Sequence, residues 1–273
     1  MVTNDIEAMK PGEGCRAAML TVKGKTVAEL VVYAEAEQLL VELDGELRQK
    51  VHDYLEKHIV MDDVELADVT ADLRELGVYG DDARAAIEQA LGRSFEALEP
   101  YHLTQVGAVR IAATPELGMP GFHLFGELPV AGTTVDDAAW EVLRVEAGRP
   151  RYGVDVDEDR LILEAGMDDA VSLTKGCYLG QEVVARATSR GHINRKLVGL
   201  RLDGDRPVAA GAKLSGPERP DAGLVTSSVI SPRLGAIALG YLHRSLWEEG
   251  TELTVHDRDG ERKARVTALP FPR

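Results

Sequence analysis

The chain has 273 residues, of which 44% are hydrophobic and 28% are charged. This composition is that of a globular protein and excludes intrinsic disorder, and at roughly 100–200 residues per domain the length indicates two domains or three small ones. The net charge of −15 disfavours a broad basic surface for nucleic acid. No apolar run approaches the roughly 20 residues of a membrane span, and the N-terminus lacks a signal-peptide pattern. We therefore predict a cytoplasmic protein without direct nucleic-acid or membrane partners.

The first 150 residues mix strand and helix patterns without the regular alternation of a doubly wound sheet. Apolar runs predict strands at residues 16–23, 26–33, 38–43, 60–69, 71–79, 105–113 and 122–128. Helical spacing predicts helices at residues 46–57, 81–91 and 135–146. Gly24 and Lys25 predict a hairpin between the first two strands, and Gly92 predicts the end of the second helix. This order is typical of an α+β fold.

The texture of the sequence changes near residues 193–196. Six short apolar runs follow, divided by Gly, Pro and Asp, at residues 196–202, 213–214, 222–230, 236–241, 252–255 and 261–268. This spacing is typical of a small antiparallel β-barrel or sandwich, which we predict as a separate C-terminal unit.

Several common catalytic and metal-binding motifs are missing from the sequence. An acidic run at residues 155–159 begins like an EF-hand loop, but Arg160 and Gly166 stand where that loop needs Gly and Glu. The seven histidines show no zinc-ligand spacing, and two cysteines are too few for a disulfide framework or a structural zinc site. There is no nucleophile elbow, Walker loop or dinucleotide-binding glycine pattern. We therefore expect no stably bound metal and disfavour hydrolase, NTPase and dehydrogenase functions.

One segment, residues 175–182, combines glycines with a cysteine and charged neighbours and reads Lys-Gly-Cys-Tyr-Leu-Gly-Gln-Glu. Gly176 and Gly180 predict a tight turn that leads into a helix beginning near Gly180. Cys177 would precede that helix beside Lys175, and both the helix dipole and the ammonium group favour a thiolate. The alternative is a free cysteine buried in a packed turn. The residues alone leave both alternatives open.

This octapeptide resembles the signature of the YgfZ family, which comprises folate-binding proteins that support iron–sulfur enzymes and are related to the glycine-cleavage T-protein. The resemblance spans nearly the whole chain. It includes Arg-Val-Glu-Ala-Gly at residues 144–148, Thr-Asn-Asp at residues 3–5 and Val-Thr-Ser at residues 225–227. T-proteins share the Lys-Gly pair but usually carry a bulky or acidic residue in place of Cys177 and do not continue as Gly-Gln-Glu. The octapeptide therefore favours the YgfZ-like branch.

The resemblance implies a T-protein-like fold of three modules around a central channel that binds a reduced folate. The implied domains are residues 1–45 together with 129–192, which carry the octapeptide, a ferredoxin-like domain at 46–128, and a β-barrel at 193–273. Nothing before Thr3 matches the family's first strand and helix, and the stretch between Leu128 and Trp140 is shorter than in relatives. These departures imply an open edge or a missing wall of the folate channel, which would reduce or abolish folate binding.

The resemblance also implies the site residues. Glu146 matches the acid that holds the pterin ring, since a carboxylate can accept two N–H hydrogen bonds. Trp140 matches an aromatic residue that packs against folate, although a core-filling Trp is the alternative. Glu29 stands where the superfamily more often has the Asp that T-proteins use in amine chemistry. The remaining implied folate contacts are Asn4, Asp5, Gly176, Tyr178, Gly180, Gln181, Glu182 and Arg186, while Arg186 and Arg190 alternatively face solvent.

We therefore expect a tetrahydrofolate-binding accessory protein for maturation or repair of iron–sulfur enzymes, in which Cys177 and Lys175 form the reactive pair. Iron–sulfur client or assembly proteins are the expected partners. Because one cysteine cannot supply the four usual ligands of a cluster, any contact with a cluster would be transient or shared. Whether turnover occurs stays open. The alternatives are a tetrahydrofolate-dependent aminomethyltransferase and a structural module that has lost folate. Any effect on tRNA would be indirect, through iron–sulfur tRNA-modifying enzymes.

Overall fold

The computed structural model describes residues 1–61, 63–126, 133–189, 191 and 193–272. Within these residues, thirteen strands form a three-stranded sheet, a four-stranded sheet and a closed barrel, and every strand pair is antiparallel. The predicted α+β class is confirmed. In the described part of the chain, no helix is long and apolar enough to cross a membrane.

The three-stranded sheet consists of β1 (Gly14–Leu20), β2 (Thr26–Ala34) and β3 (Leu39–Leu43), in that order. The predicted hairpin between β1 and β2 is confirmed, with Gly24 in the turn at a φ of 71°. Helix α1 (Arg48–His58) follows, and its buried Val51 packs against the face of the sheet that carries Ala17 and Ala28. The opposite face carries Glu29, and its Ala18 and Leu20 pack in a second buried cluster.

The four-stranded sheet contains β4 (Glu75–Tyr79), β5 (Leu103–Val106), β6 (Val109–Ala113) and β7 (Gly121–Phe125), in the order β4-β7-β6-β5. Helix α2 (Ala83–Leu91) packs on it, and Gly92 ends the helix in the left-handed conformation, as predicted. The predicted single strand at residues 105–113 is wrong, because the chain reverses at Gly107 with a φ of 66° and forms the hairpin β5–β6.

The predicted strand at residues 60–69 is also wrong among the residues that the structure describes. Its apolar side chains find no sheet to cover, since Val60 is 80% and Met61 is 95% exposed. Asp68 accepts a hydrogen bond from the Thr70 amide, and a turn follows, so β4 begins only at Glu75. The last two residues of the predicted strand 122–128, and residues 129–132 of the short stretch before Trp140, lie outside the described residues.

Helix α3 (Asp137–Glu146) begins as predicted, since the Asp136 side chain accepts a hydrogen bond from the Ala139 amide at 2.8 Å. An irregular segment leads to helix α4 (Gln181–Ser189), which starts directly after Gly180.

The C-terminal unit is a closed barrel with the strand order β10-β11-β8-β13-β12-β9. Its strands are β8 (Arg195–Leu202), β9 (Lys213–Gly216), β10 (Arg219–Ser231), β11 (Gly235–His243), β12 (Glu252–Asp257) and β13 (Gly260–Thr267). All six predicted runs fall on these strands, and the closed order decides for a barrel over a sandwich. Its interior is a cluster of buried aliphatic side chains that includes Leu200, Leu214 and Val255.

A buried polar network joins the barrel to α3. Arg144 is only 2% exposed, and its guanidinium donates to Asp155 Oδ2 at 2.7 Å and to Ser227 Oγ on β10 at 2.8 Å. Asp155 Oδ1 also accepts hydrogen bonds from Ser227 and Thr226. Because removing one member would leave a buried charge unpaired, this network fixes α3 and the segment after it against the barrel.

Candidate functional site

A cavity of about 1000 Å³ lies where β2, β3, β4 and α3 meet. This volume is at the upper end of the roughly 300–1,000 Å³ typical of small-molecule sites. Five carboxylate residues line the wall, together with aromatic side chains and Arg149. We call this space the central cavity.

Glu29 lies on β2 in the cavity wall between two arginines. Its Oε1 is 2.7 Å from Arg16 Nε and 3.2 Å from the terminal nitrogen of Arg149. Burial alone would raise the pKa of Glu29, but Arg149 and Arg16 together lower it below its usual range. Glu29 therefore presents a fixed negative charge at neutral pH.

Arg149 continues the chain of charges to Glu116 and His123. Its Nε lies 2.9 Å from Glu116 Oε2, and Glu116 Oε1 is 3.0 Å from His123 Nε2. His123 Nδ1 in turn lies 2.8 Å from Glu42 Oε1. Although burial opposes it, hydrogen bonding to Glu116 and Glu42 raises the pKa of His123 to about 10. Hydrogen bonding from His123, with the charge of Arg149, lowers the pKa of Glu116 to about 2 against its burial.

Glu75, on β4, stands at the end of this chain. Its Oε1 is 3.7 Å from His123 Nδ1, and burial together with the nearby Glu42 carboxylate raises the pKa of Glu75 to about 7. The ligand atoms of Glu42, Glu75 and His123 lie within 4.8 Å of one another, a spacing that could hold a cation. At neutral pH, however, protonated His123 itself supplies the positive charge among these carboxylates.

Two aromatic rings form the apolar part of the wall. The ring centroids of Tyr79 and Trp140 are 5.8 Å apart, with an interplanar angle of 53°. The Tyr79 ring lies over two glycines, because a Cβ on Gly77 or on Gly121 would come within 2.6 Å of a Tyr79 ring carbon. The Tyr79 hydroxyl hydrogen-bonds Glu116 and lies 2.6 Å from His123 Nε2, so the hydroxyl end of the ring is fixed by polar contacts.

Of the site residues predicted from the sequence, Glu29 and Trp140 lie on the wall of the central cavity. Glu146 lies outside it and faces the barrel. Its Oε1 accepts a hydrogen bond from Ser231 Oγ, and its Oε2 is 2.9 Å from the Arg233 guanidinium. Glu146 does not line the cavity wall, so its predicted contact with the pterin ring stays a prediction.

The octapeptide does not line the central cavity, although its Tyr178 packs with Ala18 on the face of the three-stranded sheet that also carries Glu29. Lys175 Nζ donates to the carbonyls of Val2 and Asn4, both at 2.9 Å, and lies 5.7 Å from the centre of the Tyr178 ring. Tyr178 is buried in a cluster with Ala18 and other apolar side chains. Lys175 therefore attaches the N-terminal segment to the octapeptide.

Gly180 is constrained by its backbone conformation and by a close neighbour, whereas Cys177 is exposed. Gly180 has a φ of 83°, and a Cβ there would lie 2.6 Å from the Thr21 carbonyl oxygen. Cys177 is exposed, whereas Cys15 is half-buried. Burial raises the pKa of Cys15 to about 11, although Lys175 opposes the shift. Cys177 is the cysteine accessible for chemistry.

The remaining predicted contacts also lie away from the cavity wall. The Asn4 side chain donates to the Arg16 carbonyl at 2.8 Å and accepts from the Asp5 amide at 2.9 Å. The other residues of this group are exposed Gly176, half-buried Gln181 and the exposed pair formed by Glu182 and Arg186. Arg190 lies outside the described residues.

Sequence reasoning missed most of the polar wall: Glu42, Glu75, Tyr79, Glu116, His123 and Arg149. A signal existed for two of them. His123 interrupts the apolar run Gly-Phe-His-Leu-Phe, and Arg149 directly follows the Arg-Val-Glu-Ala-Gly block. A buried polar residue in a strand needs a partner, and this expectation could have directed attention to the cavity.

The fold is that of an aminomethyltransferase. The crystal structure of glycine cleavage system aminomethyltransferase T from Bartonella henselae superposes with a TM-score of 0.87, covering 99% of this chain and 79% of that one at 23% identity. Residues 195–272 match the family model of the glycine cleavage T-protein C-terminal barrel domain.

Relatives with similar sequences show to which family the chain belongs. The chain is 32% identical to an aminomethyltransferase of Rubrobacter xylanophilus, over 100% of this chain and 77% of the relative. An aminomethyltransferase of Halalkalibacterium halodurans is 29% identical, over 99% of this chain and 80% of the relative. The chain therefore belongs to the aminomethyltransferase family.

Proposed function

We propose that the central cavity binds tetrahydrofolate. The observation that carries the proposal is the composition of the wall, where an aromatic pair adjoins carboxylates and arginine in one cavity. A pterin ring presents two flat faces and an edge rich in N–H groups, which suit aromatic side chains and carboxylates. Arg149 and Arg151, also on the wall, suit the carboxylates of the glutamyl tail. The residues present therefore fit a reduced folate.

The first candidate for the chemistry is transfer of an aminomethyl group. It is supported by relatives that carry the name aminomethyltransferase and align with the whole chain. Tetrahydrofolate, when bound, accepts one-carbon groups. Glu29 has a lowered pKa and two arginine partners, so it is a weak base at neutral pH. Its contribution would be electrostatic, as a fixed negative charge that attracts the cationic amine of an incoming substrate.

The second candidate is a folate-dependent accessory role for iron–sulfur enzymes, with client or assembly proteins as partners. The observation that favours it is the exposed thiol of Cys177, in a turn where a Cβ on Gly180 would lie 2.6 Å from the Thr21 carbonyl oxygen. An exposed cysteine can contact a partner protein directly, whereas a group inside the central cavity cannot. The predicted cytoplasmic location suits this role as well.

Anaerobic calorimetric titration of the wild-type chain with tetrahydrofolate tests the proposal, and we expect saturable binding at one site. Absence of binding would contradict the proposal and favour a module that has lost folate.

Two further assays separate the candidates. Formation of methylene-tetrahydrofolate from an aminomethylated lipoyl carrier protein would support transfer. Loss of iron–sulfur enzyme activity in a deletion strain, restored by the wild-type gene but not by Cys177→Ala, would support the accessory role. Cys15→Ala is the matched control and should restore activity fully.

A further inference from the structure

The wall of the central cavity contains a carboxylate that the internal charge network leaves available for a ligand. We propose that this residue, Glu75, binds the N–H-rich edge of the pterin ring, and that the ring lies against Tyr79 and Trp140. The inference rests on the proposed binding of tetrahydrofolate and names the part of the cavity that recognises its ring.

The other four carboxylates of the wall already have hydrogen-bond or ion-pair partners within the protein. Glu29 is held by Arg16 and Arg149, and Glu116 is held by Arg149, His123 and Tyr79. Glu42 accepts a hydrogen bond from the Tyr33 hydroxyl at 2.8 Å and contacts His123. The fifth wall carboxylate, Asp44, accepts a hydrogen bond from the Glu46 amide at 3.0 Å.

Glu75 differs from all four. Within the described part of the chain, its carboxylate has only the 3.7 Å contact with His123, which is too long for a hydrogen bond. The side chain is exposed to the cavity, and Glu42, His123 and Glu116 are the charged groups that act on it. Glu75 can therefore accept hydrogen bonds from a ligand without breaking any hydrogen bond among the described residues.

Glu75 lies on the strand that also carries Tyr79 of the aromatic wall. Side chains alternate along a strand, so Glu75, Gly77 and Tyr79 share one face of β4. The Tyr79 ring lies over Gly77 and Gly121, and Tyr79 lines the cavity. Trp140 stands 5.8 Å from that ring. A planar heterocycle placed against these rings can direct its edge along the strand toward Glu75.

The family resemblance predicts that Glu146 binds the pterin ring. Both of its carboxylate oxygens already have partners in Ser231 and Arg233, and it does not line the cavity. Binding a ring through Glu146 would require breaking these contacts. In this chain, Glu75 therefore binds the edge of the pterin ring.

The test compares folate binding by Glu75→Gln and Glu146→Gln with the wild-type chain. Loss of a charge-assisted carboxylate contact should weaken tetrahydrofolate binding by roughly 10- to 100-fold in Glu75→Gln. The same loss is expected for tetrahydropterin, which lacks the tail. Glu146→Gln should bind within about 2-fold of wild type. Glu65→Gln, which removes an exposed charge on another segment, controls for net charge.

The proton released on ligand binding gives a second readout. If Glu75 had only a structural role, its substitution would not change this release. Near pH 7, a ligand that donates N–H groups to Glu75 favours its ionised form, so binding releases a proton. Titration in buffers of different ionisation enthalpy should detect this release in wild type but not in Glu75→Gln.

Wild-type affinity in Glu75→Gln, or a larger loss in Glu146→Gln, would overturn the assignment while leaving folate binding intact. If the wild-type chain itself binds no tetrahydrofolate, the proposed function fails, and the assignment fails with it.

Discussion

Arg149 and Glu116 form an ion pair at 2.9 Å in the wall of the central cavity, and the same guanidinium lies 3.2 Å from Glu29. One arginine thus holds two wall carboxylates, which come from β2 and from the loop before β7. Its removal would leave both carboxylates short of a partner in a semi-enclosed space. The internal charge balance of the cavity depends on this side chain.

We predict that Arg149→Met lowers the free energy of unfolding by about 3–5 kcal/mol, the range for breaking one partner out of a buried ion pair. Denaturant unfolding of the variant and wild type measures this change. Arg186→Met is the control, because the pair that Arg186 forms with Glu182 is exposed and should contribute less than about 1 kcal/mol. Equal effects of the two substitutions would contradict the network.

The second prediction concerns alkaline pH. The pKa of His123 is raised from about 6.5 in the unfolded chain to about 10 in the folded protein. The stability from this shift is fully present below about pH 6.5 and is lost as the pH rises through about 10. We expect the free energy of unfolding to decrease over this window, and His123→Gln to show a smaller decrease. Parallel pH profiles for both proteins would show that His123 is not the titrating group.

Much of the architecture was predictable because it depends on local patterns. The β1–β2 hairpin follows from its glycine turn, and α3 follows from its acidic N-cap and apolar spacing. The strand predicted at residues 60–69 does not form among the described residues, because an apolar run becomes a strand only if a sheet edge is available to pair with it. Availability of a sheet edge is a tertiary property that the local sequence does not contain.

The site was predictable to a lesser degree. The family resemblance pointed to Glu29 and Trp140, which line the central cavity, whereas Glu75 and His123 come from different strands and meet only because β4 pairs with β7. The resemblance also placed Glu146 near the ligand, but its partners Ser231 and Arg233 lie on or just after β10 and direct it toward the barrel. Contacts between distant segments decide which charged residues face the cavity.

The third prediction tests the junction between α3 and the barrel. Arg144→Met should lower the free energy of unfolding by about 3–5 kcal/mol, since it leaves buried Asp155 without its charged partner. Arg151→Met is the matched control, because Arg151 is nearly half exposed and its ion pair with Glu141 is worth about 1 kcal/mol or less. Thermal or denaturant unfolding gives both values. A small effect of Arg144→Met would show that the barrel is attached by other contacts.

The last prediction concerns Gly176 and Gly180 of the octapeptide. The sequence predicts the same turn role for both, but in the structure they differ in backbone conformation and in surroundings. Gly180→Ala should lower the free energy of unfolding by about 1–3 kcal/mol, because residue 180 has a φ of 83° and a Cβ would lie 2.6 Å from the Thr21 carbonyl oxygen. Gly176→Ala should change it by less than about 1 kcal/mol, since its φ is not positive and, apart from its chain neighbours, no described residue has an atom within 4 Å of the position that a Cβ would take. If Cys177 depends on the turn for its position, Gly180→Ala should also alter the rate at which a thiol reagent modifies it, while Gly176→Ala should not. Equal rates in both variants would show that the turn does not control the thiol.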